Sequence, residues 1–506
     1  MTENKRTNTY LSKSLFIKGL QCPKSLYLHK YHPELRDEID ESKEMLFKRG
    51  HEVGILAQKL YPSGITIPYE GLSKEEQINK TKREIENGAA IIYEASFSYN
   101  DVFIKADIMR KQAKGWNLYE VKNSTEEKDY YLDDIAIQHY VLQGLGIPVS
   151  KAFLVYINNK YVRDGDIEVH KLFAKKDLTK IIRQKQDYIG DEIKRLKSML
   201  KGDMPEIDIG EQCGDPYECD FKSHCRRHIP EDSIFSIESK WIDKFAYYKE
   251  GIICLKDLPL DNLTNRQRIY VETFLNKKDF INKEGIKEFL DSLRYPLCFL
   301  DFETTYMVAI PLYNGTRPYQ TVPFQYSLHY RTNEGAKLEH KEYLAEAGID
   351  PRRPFLESLL NNIRYDACIL VYNKTFETKI LRLCQQWFPE YRKRIDRIID
   401  NIRDLMAPFR RKDYYTWQMY GSHSLKYVLP AIIPAMNYDA LEISDGQMAS
   451  NEYMRMYYSQ DAEEIAMIRE SLIEYCRQDT MAMVKILERL RGMVANNMAN
   501  NIDNKE

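Results

Sequence analysis

Apolar and polar positions alternate along three successive segments in the first half of the chain, which predicts three β-strands. These strands cover residues 91–97, 101–108 and 116–122. The tripeptide Ser98-Tyr99-Asn100 between the first two strands favours a turn. Residues 131–145 then carry apolar positions at helical spacing, which predicts an α-helix. We therefore expect an α/β domain in this half.

The second half predicts another α/β domain. Residues 296–304 and 369–372 are apolar runs of the length of buried strands, and a late helix contains residues 475–479. Between the halves, residues 236–290 predict short amphipathic helices that form a bridge. A chain of 506 residues exceeds what one hydrophobic core usually organises, so two or three domains are expected.

Candidate catalytic groups lie on the predicted strands of the first half. Glu120 and Lys122 share one strand face, and Asp107 ends the neighbouring strand. The two carboxylates suit Mg²⁺ or Mn²⁺, and a lysine near the metal can steady the attacking hydroxide. Gln138, in the following helix, can orient Lys122 or the scissile strand. An isolated Glu-x-Lys is more often a solvated surface pattern, so the interpretation depends on the whole set.

The second half carries its own acidic set. Asp301 and Glu303 share a strand face, and such a pair can bind two metal ions that act on a phosphodiester. Tyr475 and Asp479 lie four residues apart and therefore on one helix face. Asp479 would bind metal and Tyr475 would orient the water. A strand ending in Asp-x-Glu also occurs by chance, so these partners are needed.

Four of the nine cysteines suggest a metal cluster: Cys22 near the start and, much later, Cys213, Cys219 and Cys225. Five residues separate the members of each successive pair of the trio, whereas zinc sites favour tight two-residue knuckles. A [4Fe-4S] cluster tolerates irregular spacing. Structural zinc and an unmetallated set of core cysteines remain as alternatives. The other five are interpreted as core residues: Cys254, Cys298, Cys368, Cys384 and Cys476.

Composition changes this picture little. The net charge of -2 gives no basic excess to attract nucleic acid, but phosphate binding needs only a local basic stripe. Apolar runs stay far below the roughly 18 residues of a membrane span, and the start lacks the apolar core of a signal peptide. A cytoplasmic protein without membrane association is expected. The chain has no Walker A loop, so any unwinding would need a helicase partner.

The first half resembles the RecB-like nucleases of the PD-(D/E)xK superfamily, in particular the iron-sulfur branch with AddB and the CRISPR adaptation exonucleases. The matching motifs are Cys22-Pro23-Lys24, Gly50-His51-Glu52-Val53-Gly54, Asp107, Glu120-Val121-Lys122, and Gln138 with Tyr140. The resemblance implies a restriction-endonuclease-like fold, His51 as a third metal ligand and a structural [4Fe-4S] cluster. From the residues alone, a helix-capping or core histidine is the alternative for His51.

The second half resembles the DEDD exonucleases of the DnaQ-like, ribonuclease H-like fold, in the version with a tyrosine in the last motif. Asp301 and Glu303 match the first motif, Asn373 and Glu377 the second, Tyr475 and Asp479 the third. Ser422-His423-Ser424-Leu425-Lys426 is similar to a substrate-side helix start. Glu377 stands where an aspartate is usual, which makes an inactive binding module the alternative.

Together, these observations predict a two-nuclease, metal-dependent DNA exonuclease that acts on single-stranded or end-resected DNA in repair, recombination or defence. The expected domains are a RecB-like nuclease (1–235), a helical bridge (236–290), a DnaQ-like 3'-5' exonuclease (291–495) and a disordered tail (496–506). Partners would be DNA, with a helicase or CRISPR or repair proteins. The alternatives are an RNA-processing exonuclease and a nucleic-acid-binding scaffold.

Overall fold

The computed structural model describes residues 8–38, 41–237, 242–438 and 441–502, and it divides the chain into two compact units. Unit 1 comprises Met1–His228 and Val308–Tyr319, and unit 2 comprises Ile229–Met307 and Gln320–Glu506. Each unit combines helices with a mixed sheet, so the expected α/β class is confirmed. None of the described helices has the length and apolarity that crossing a bilayer requires.

Unit 1 is built around a seven-stranded sheet. Its strands are β1 (Leu11–Ser12), β2 (Ile65–Thr66), β3 (Ile91–Tyr99), β4 (Val102–Gln112), β5 (Gly115–Lys122), β6 (Val149–Ile157) and β7 (Phe173–Asp177). Its helices are α1 (Lys13–Gln21), α2 (Pro23–Tyr31), α3 (Glu41–Gln58), α4 (Lys74–Glu86), α5 (Asp129–Gly144), α6 (Val169–Leu172), α7 (Thr179–Gln184), α8 (Gln186–Lys201) and α9 (Lys222–Arg226).

The strand order of this sheet is β2-β3-β4-β5-β6-β7, and β1 pairs with the start of β4. Strands β3, β4 and β5 are antiparallel neighbours, whereas β6 is parallel to β5 because α5 carries the chain back across the sheet. The predicted strands and helix are confirmed as β3, β4, β5 and α5. Apolar residues of α5 and α8, including Ile135 and Ile193, form one core with Ile104 of β4.

Unit 2 contains a five-stranded sheet and a two-stranded one. Its strands are β8 (Phe280–Ile281), β9 (Leu297–Thr304), β10 (Pro323–Arg331), β11 (Glu339–Leu344), β12 (Cys368–Val371), β13 (Ile402–Asp404) and β14 (Tyr414–Tyr415). Its helices are α10 (Lys244–Lys249), α11 (Asn265–Asn276), α12 (Lys283–Asp291), α13 (Arg352–Asn362), α14 (Lys374–Trp387), α15 (Arg392–Asp400), α16 (Ala407–Arg411), α17 (Leu425–Ile432), α18 (Gly446–Tyr458) and α19 (Ala462–Ile502).

The larger sheet has the order β11-β10-β9-β12-β13. Strands β9, β12 and β13 are parallel, whereas β10 is antiparallel to both of its neighbours. Helices cover both faces, and the side chains of β9 alternate between two cores. Phe299 packs into the core that contains Leu472 of α19, and Leu300 packs into the core that contains Ile380 of α14. This alternation decides where the carboxylates of β9 point.

Three stretches bear on the expected domain boundaries. Residues of the predicted bridge, such as Ile286 and Phe289 of α12, belong to the core of unit 2. The chain leaves unit 2 after Met307, contributes Val308–Tyr319 to unit 1, and returns at Gln320. At the C-terminus, α19 extends to Ile502, and residues 503–506 of the predicted tail lie outside the described part of the chain.

Candidate metal centres

An acidic cleft in unit 2 follows from the alternation along β9. Asp301 and Glu303 have the same parity as Phe299, so they point to the face that α19 covers. Asp479 and Tyr475 on α19 meet them there. All four residues line one cleft of about 420 Å³. The structure thus brings together the first and last predicted motifs of the second half.

Burial and mutual repulsion both act on the carboxylates of this cleft. Burial raises the pKa of Asp301 and Glu303 well above the ordinary carboxyl range, and the charged neighbours that raise it further are themselves acidic. Burial also raises the pKa of Asp479 to about 7. Carboxylates held this close without a compensating cation favour either protonation or a bound metal ion.

Glu377 interacts electrostatically with this set, although it does not belong to the described lining of the cleft. It lies in the first turn of α14 with 1% of its surface exposed, and its Oε2 has no hydrogen-bond partner among the described residues. Burial raises its pKa, and Asp301 raises it further. A buried acceptor without a donor is costly unless a cation binds it. The donor set of this cleft therefore fits one or two hard divalent cations.

Two tyrosines flank Asp479. The hydroxyl of Tyr438 donates a short hydrogen bond to Oδ1 of Asp479, and Tyr475 also interacts with this carboxylate. Burial raises the pKa of both phenols, so both stay neutral. Tyr438 was not predicted, because it lies 41 residues before Asp479 in a segment without regular periodicity. Asp445, which caps α18 by accepting hydrogen bonds from its first amides, also lines the cleft and was missed.

The predicted substrate-side residues are placed differently. Lys426 lines the cleft, whereas Asn373 and His423 do not belong to its described lining. Asn373 precedes α14 in a left-handed conformation (φ 83°), and its backbone N–H donates a hydrogen bond to Asp404 Oδ1 at 3.2 Å. The carbonyl of His423 accepts a 2.8 Å hydrogen bond from the Tyr372 hydroxyl. These two residues therefore shape the surroundings of the cleft.

In unit 1 the predicted residues of β4, β5 and α5 form a second polar cluster. The Lys122 and Lys13 ammonium groups each lie 2.8 Å from Oε1 of Glu120. Gln138 donates to Oε2 of Glu120 at 2.6 Å, and Asp107 accepts a 2.7 Å hydrogen bond from the amide of Val121. The structure therefore brings Asp107, Glu120, Lys122 and Gln138 together.

The pKa values of the two carboxyl groups in this cluster, Asp107 and Glu120, shift in opposite directions. Burial and the charge of Glu120 raise the pKa of Asp107 to about 8. Burial alone would raise the pKa of Glu120 as well, but Lys122 and Lys13 outweigh it and lower the value to about 2. Glu120 is thus ionised at neutral pH, and the two lysines balance its charge.

Sequence reasoning missed three members of this cluster. Lys13 at the start of α1 pairs with Glu120, and Asp134 of α5 accepts a short hydrogen bond from Lys122. Glu94 adopts φ 56° within β3, and the charges of Lys13 and Glu120 both act on its carboxyl group. A left-handed residue inside a strand is strained, and such strain concentrates at functional sites. Of these three residues, only Glu94 lies within a segment that the sequence predicts to be a strand.

His51 does not form a compact ligand group with these carboxylates among the described residues. It is exposed on α3, with its ring edge-on to Tyr69 at a centroid distance of 6.3 Å. Within the described chain, His51, Asp107 and Glu120 do not form a group whose ligand atoms all lie within 4.8 Å of one another. His51 does interact electrostatically with Glu94 and lowers the pKa of that carboxyl group.

The four predicted cluster cysteines meet in one pocket of unit 1. Cys22 caps α2, Cys213 and Cys219 are joined by a 2.9 Å backbone hydrogen bond, and Cys225 lies on α9. All four line the same pocket. Burial raises the pKa of the Cys22 and Cys225 thiols, and the neighbouring thiols raise it further. A bound metal would remove these protons, because metal-bound sulfur is deprotonated.

Cys476 differs from its interpretation as an apolar core residue. Its Sγ lies 3.9 Å from Oδ2 of Asp301, inside the acidic set of unit 2. The sequence around Cys476 does not predict its contact with Asp301, because the two positions are 175 residues apart.

Comparison with known families gives one match. Residues 298–424, which run from the second residue of β9 to the residue before α17, match the family described as a domain of unknown function, DUF2779. The match spans less than half of the 506 residues. A search of curated proteins found no match to the chain. These comparisons assign no activity to the chain.

Proposed function

We propose that this chain is a metal-dependent nuclease with two nuclease modules, acting on single-stranded or end-resected DNA. The observation that carries the proposal is the convergence of Asp301, Glu303 and Asp479 in one cleft, where the charged groups that raise the pKa of Glu303 are all acidic. Carboxylates in this arrangement bind the paired Mg²⁺ or Mn²⁺ ions of phosphodiester hydrolysis.

For unit 2 we propose a ribonuclease H-like, DnaQ-like exonuclease domain. The sheet order β11-β10-β9-β12-β13, with only β10 antiparallel, supports this assignment, as does the position of the acidic residues on the central strand and the last helix. Asp301, Glu303, Glu377 and Asp479 would hold the metal. Bound there, the metal lowers the pKa of water and stabilises charge on the phosphate. The neutral Tyr475 phenol orients the attacking water, and Lys426 binds a substrate phosphate.

For unit 1 we propose a restriction-endonuclease-like, RecB-like module. Support comes from the succession α4-β3-β4-β5-α5-β6, in which β5 carries Glu120 and Lys122 and pairs with both β4 and β6. Asp107 and Glu120 would hold the metal, and the charge of Glu120 helps to raise the pKa of the nearby Glu94. Lys122 steadies the attacking hydroxide, while Asp134 and Gln138 orient Lys122 and Glu120.

We further propose that Cys22, Cys213, Cys219 and Cys225 bind a [4Fe-4S] cluster. Four thiolates around one zinc ion with bonds of about 2.3 Å would lie about 3.8 Å apart. Among the described residues, no three of these thiols form a group within 4.8 Å. A cubane separates its thiolates more widely, because each one binds a different iron. This spacing favours iron-sulfur over zinc.

The test is degradation of single-stranded DNA labelled at either end, by anaerobically purified wild type, Lys122→Ala and Asp301→Ala, with Mg²⁺ or Mn²⁺. Two separable activities are expected, each lost in one variant by about 10³-fold or more. Matched RNA strands in the same assay test the RNA-processing alternative. Wild-type degradation by Asp301→Ala at both ends would make unit 2 a binding module.

A further inference from the structure

A thiol lies among the carboxylates of the unit 2 cleft. Cys476 is fully buried on α19, and its Sγ is 3.9 Å from Oδ2 of Asp301. One ligand atom each of Asp301, Glu303 and Cys476 can be chosen so that all three lie within 4.8 Å of one another. Ligand atoms around one ion with bonds of about 2.1–2.4 Å are separated by about 3–5 Å. The three side chains can therefore bind the same cation.

Two further observations point to a ligand at this position. Cys476 and Asp479 are three residues apart and share the face of α19 that covers β9. Glu377 Oε2, nearly fully buried and influenced most by Asp301 among its charged neighbours, has no hydrogen-bond partner in the described chain. Glu377 is thus influenced by the same carboxylate that contacts Cys476.

We propose that Cys476 is a thiolate ligand of the unit 2 metal site and makes this site favour cations that accept sulfur, Cd²⁺ above all and Mn²⁺ to a smaller degree, over Mg²⁺. Sulfur is a soft ligand that Mg²⁺ binds poorly, whereas the later first-row and group 12 cations accept it. On binding, the S–H proton leaves to solvent and the sulfur lone pair forms the bond to the cation. The inference rests on the proposed metal-dependent function of the same cleft.

The competing explanation is a buried thiol that only donates a weak hydrogen bond to Asp301. Serine distinguishes the two, because its hydroxyl keeps the size and the donor of cysteine but offers a hard oxygen to the metal. Cys384 provides the matched control. It is a fully buried thiol of unit 2 that packs in the apolar core of α14.

The experiment is a Cd²⁺ titration of the full chain, followed through the ultraviolet absorption of cadmium-bound thiolate. Wild type, Cys476→Ser, Glu303→Gln and Cys384→Ser are compared, and the difference spectra cancel the shared contribution of the unit 1 cysteines. The Cys476-dependent absorption should disappear in Cys476→Ser. It should require about tenfold or more Cd²⁺ in Glu303→Gln, since losing one partner of a metal shell weakens binding by about that factor. Cys384→Ser should match wild type, and circular dichroism confirms that each variant is folded.

Two results separate this inference from the proposed function. Absorption that depends on Cys476 and Glu303, in a chain that cuts no nucleic acid, would support the thiolate ligand and overturn the nuclease. Asp301-dependent degradation with an unchanged Cd²⁺ spectrum and an unchanged Mn²⁺ to Mg²⁺ activity ratio in Cys476→Ser would overturn the thiolate ligand alone.

Discussion

The hydroxyl of Tyr319 donates a 2.5 Å hydrogen bond to Oδ1 of Asn123, the residue directly after Lys122. Tyr319 closes the segment Val308–Tyr319, which lies between β9 and β10 in the sequence but belongs to unit 1. Arg163 holds the same segment by donating to the carbonyls of Pro311 and Leu312 at 3.0 and 2.6 Å. Hydrogen bonds thus hold the segment after β9 within unit 1, next to the residue that follows β5.

We expect Tyr319→Phe to loosen this segment. Loss of the hydrogen bond should lower the free energy of unfolding of unit 1 by about 1 kcal/mol, and proteases should cut near residues 308–319 faster. Urea denaturation and limited proteolysis with mass spectrometry measure the two effects. Tyr365→Phe, at a site in unit 2 with 66% exposure, should change neither. Equal cleavage of all three proteins would contradict the prediction.

Lys13 should stabilise unit 1 through Glu120. Replacing it by methionine removes a charge-assisted hydrogen bond to a buried carboxylate, and we expect a loss of about 1–3 kcal/mol at pH 7. Lys82→Met is the control, because Lys82 is an exposed lysine whose contact with Glu86 is 3.9 Å long. Its loss should be below about 0.5 kcal/mol.

The effect of Lys13→Met should depend on pH with a definite sign. The pKa of Glu120 is lowered to about 2 in the folded chain, so its contribution is complete above the ordinary glutamate pKa and is lost as the pH falls towards 2. The difference in unfolding free energy between wild type and Lys13→Met should therefore shrink below about pH 4. A constant difference from pH 7 to pH 3 would show that Lys13 acts through packing.

Metal binding in unit 2 should strengthen as the pH rises through 7. The pKa of Asp479 is raised to about 7, and a metal must displace its proton. We expect the Asp479 proton to contribute about a fivefold rise in Mn²⁺ affinity between pH 6 and pH 7, and about tenfold by pH 8. Calorimetric titration of an Asp107→Asn variant isolates this site, and Asp479→Asn in addition should abolish the rise.

The same raised pKa predicts how the stability of the metal-free chain depends on pH. Between about pH 4 and pH 7, Asp479 keeps its proton in the folded state but has lost it in the unfolded state. The free energy of unfolding therefore falls as the pH rises through this interval. In the presence of a chelator, the melting temperature should drop by several degrees between pH 6 and pH 8. Saturating Mn²⁺ should reverse most of this drop, because it binds only the folded state. A melting temperature that rises over this interval would contradict the prediction.

Cys219→Ala should remove the proposed cluster. We expect anaerobically purified wild type to contain about four iron and four sulfide ions per chain and the variant to contain almost none. The variant should also unfold more easily, because the cluster joins Cys22 to the late trio across about 190 residues. Cys254→Ala, a cysteine of unit 2, should retain the iron. If purified wild type contained stoichiometric zinc in place of iron, the four cysteines would form a zinc site and the prediction would be wrong.

The strands that carry the candidate sites were predictable because their signal is local. Alternation along residues 116–122 gives both the strand and the shared face of Glu120 and Lys122, and the two side chains form an ion pair at 2.8 Å. The apolar run before Asp301 likewise gives β9. Here the period of the strand alone fixes which groups lie side by side.

The missed residues come from contacts between distant segments. Lys13 meets Glu120 across 107 positions, and Cys476 meets Asp301 across 175. Neither residue lies in a local pattern that distinguishes it from a surface lysine or a core cysteine. Tyr438 reaches Asp479 from an irregular segment, where no periodicity indicates a direction. Tertiary packing decides these partners.

The path of Val308–Tyr319 also affects how the chain can be divided. Ala309 is buried in the same apolar cluster as Val53 and Tyr93, so unit 1 is completed by residues encoded 80 positions after the unit otherwise ends at His228. A fragment that stops at residue 228 lacks part of its own core, and the complementary fragment carries an apolar loop without its binding site. The two units are interleaved in sequence, and no single cut through the polypeptide yields two whole domains.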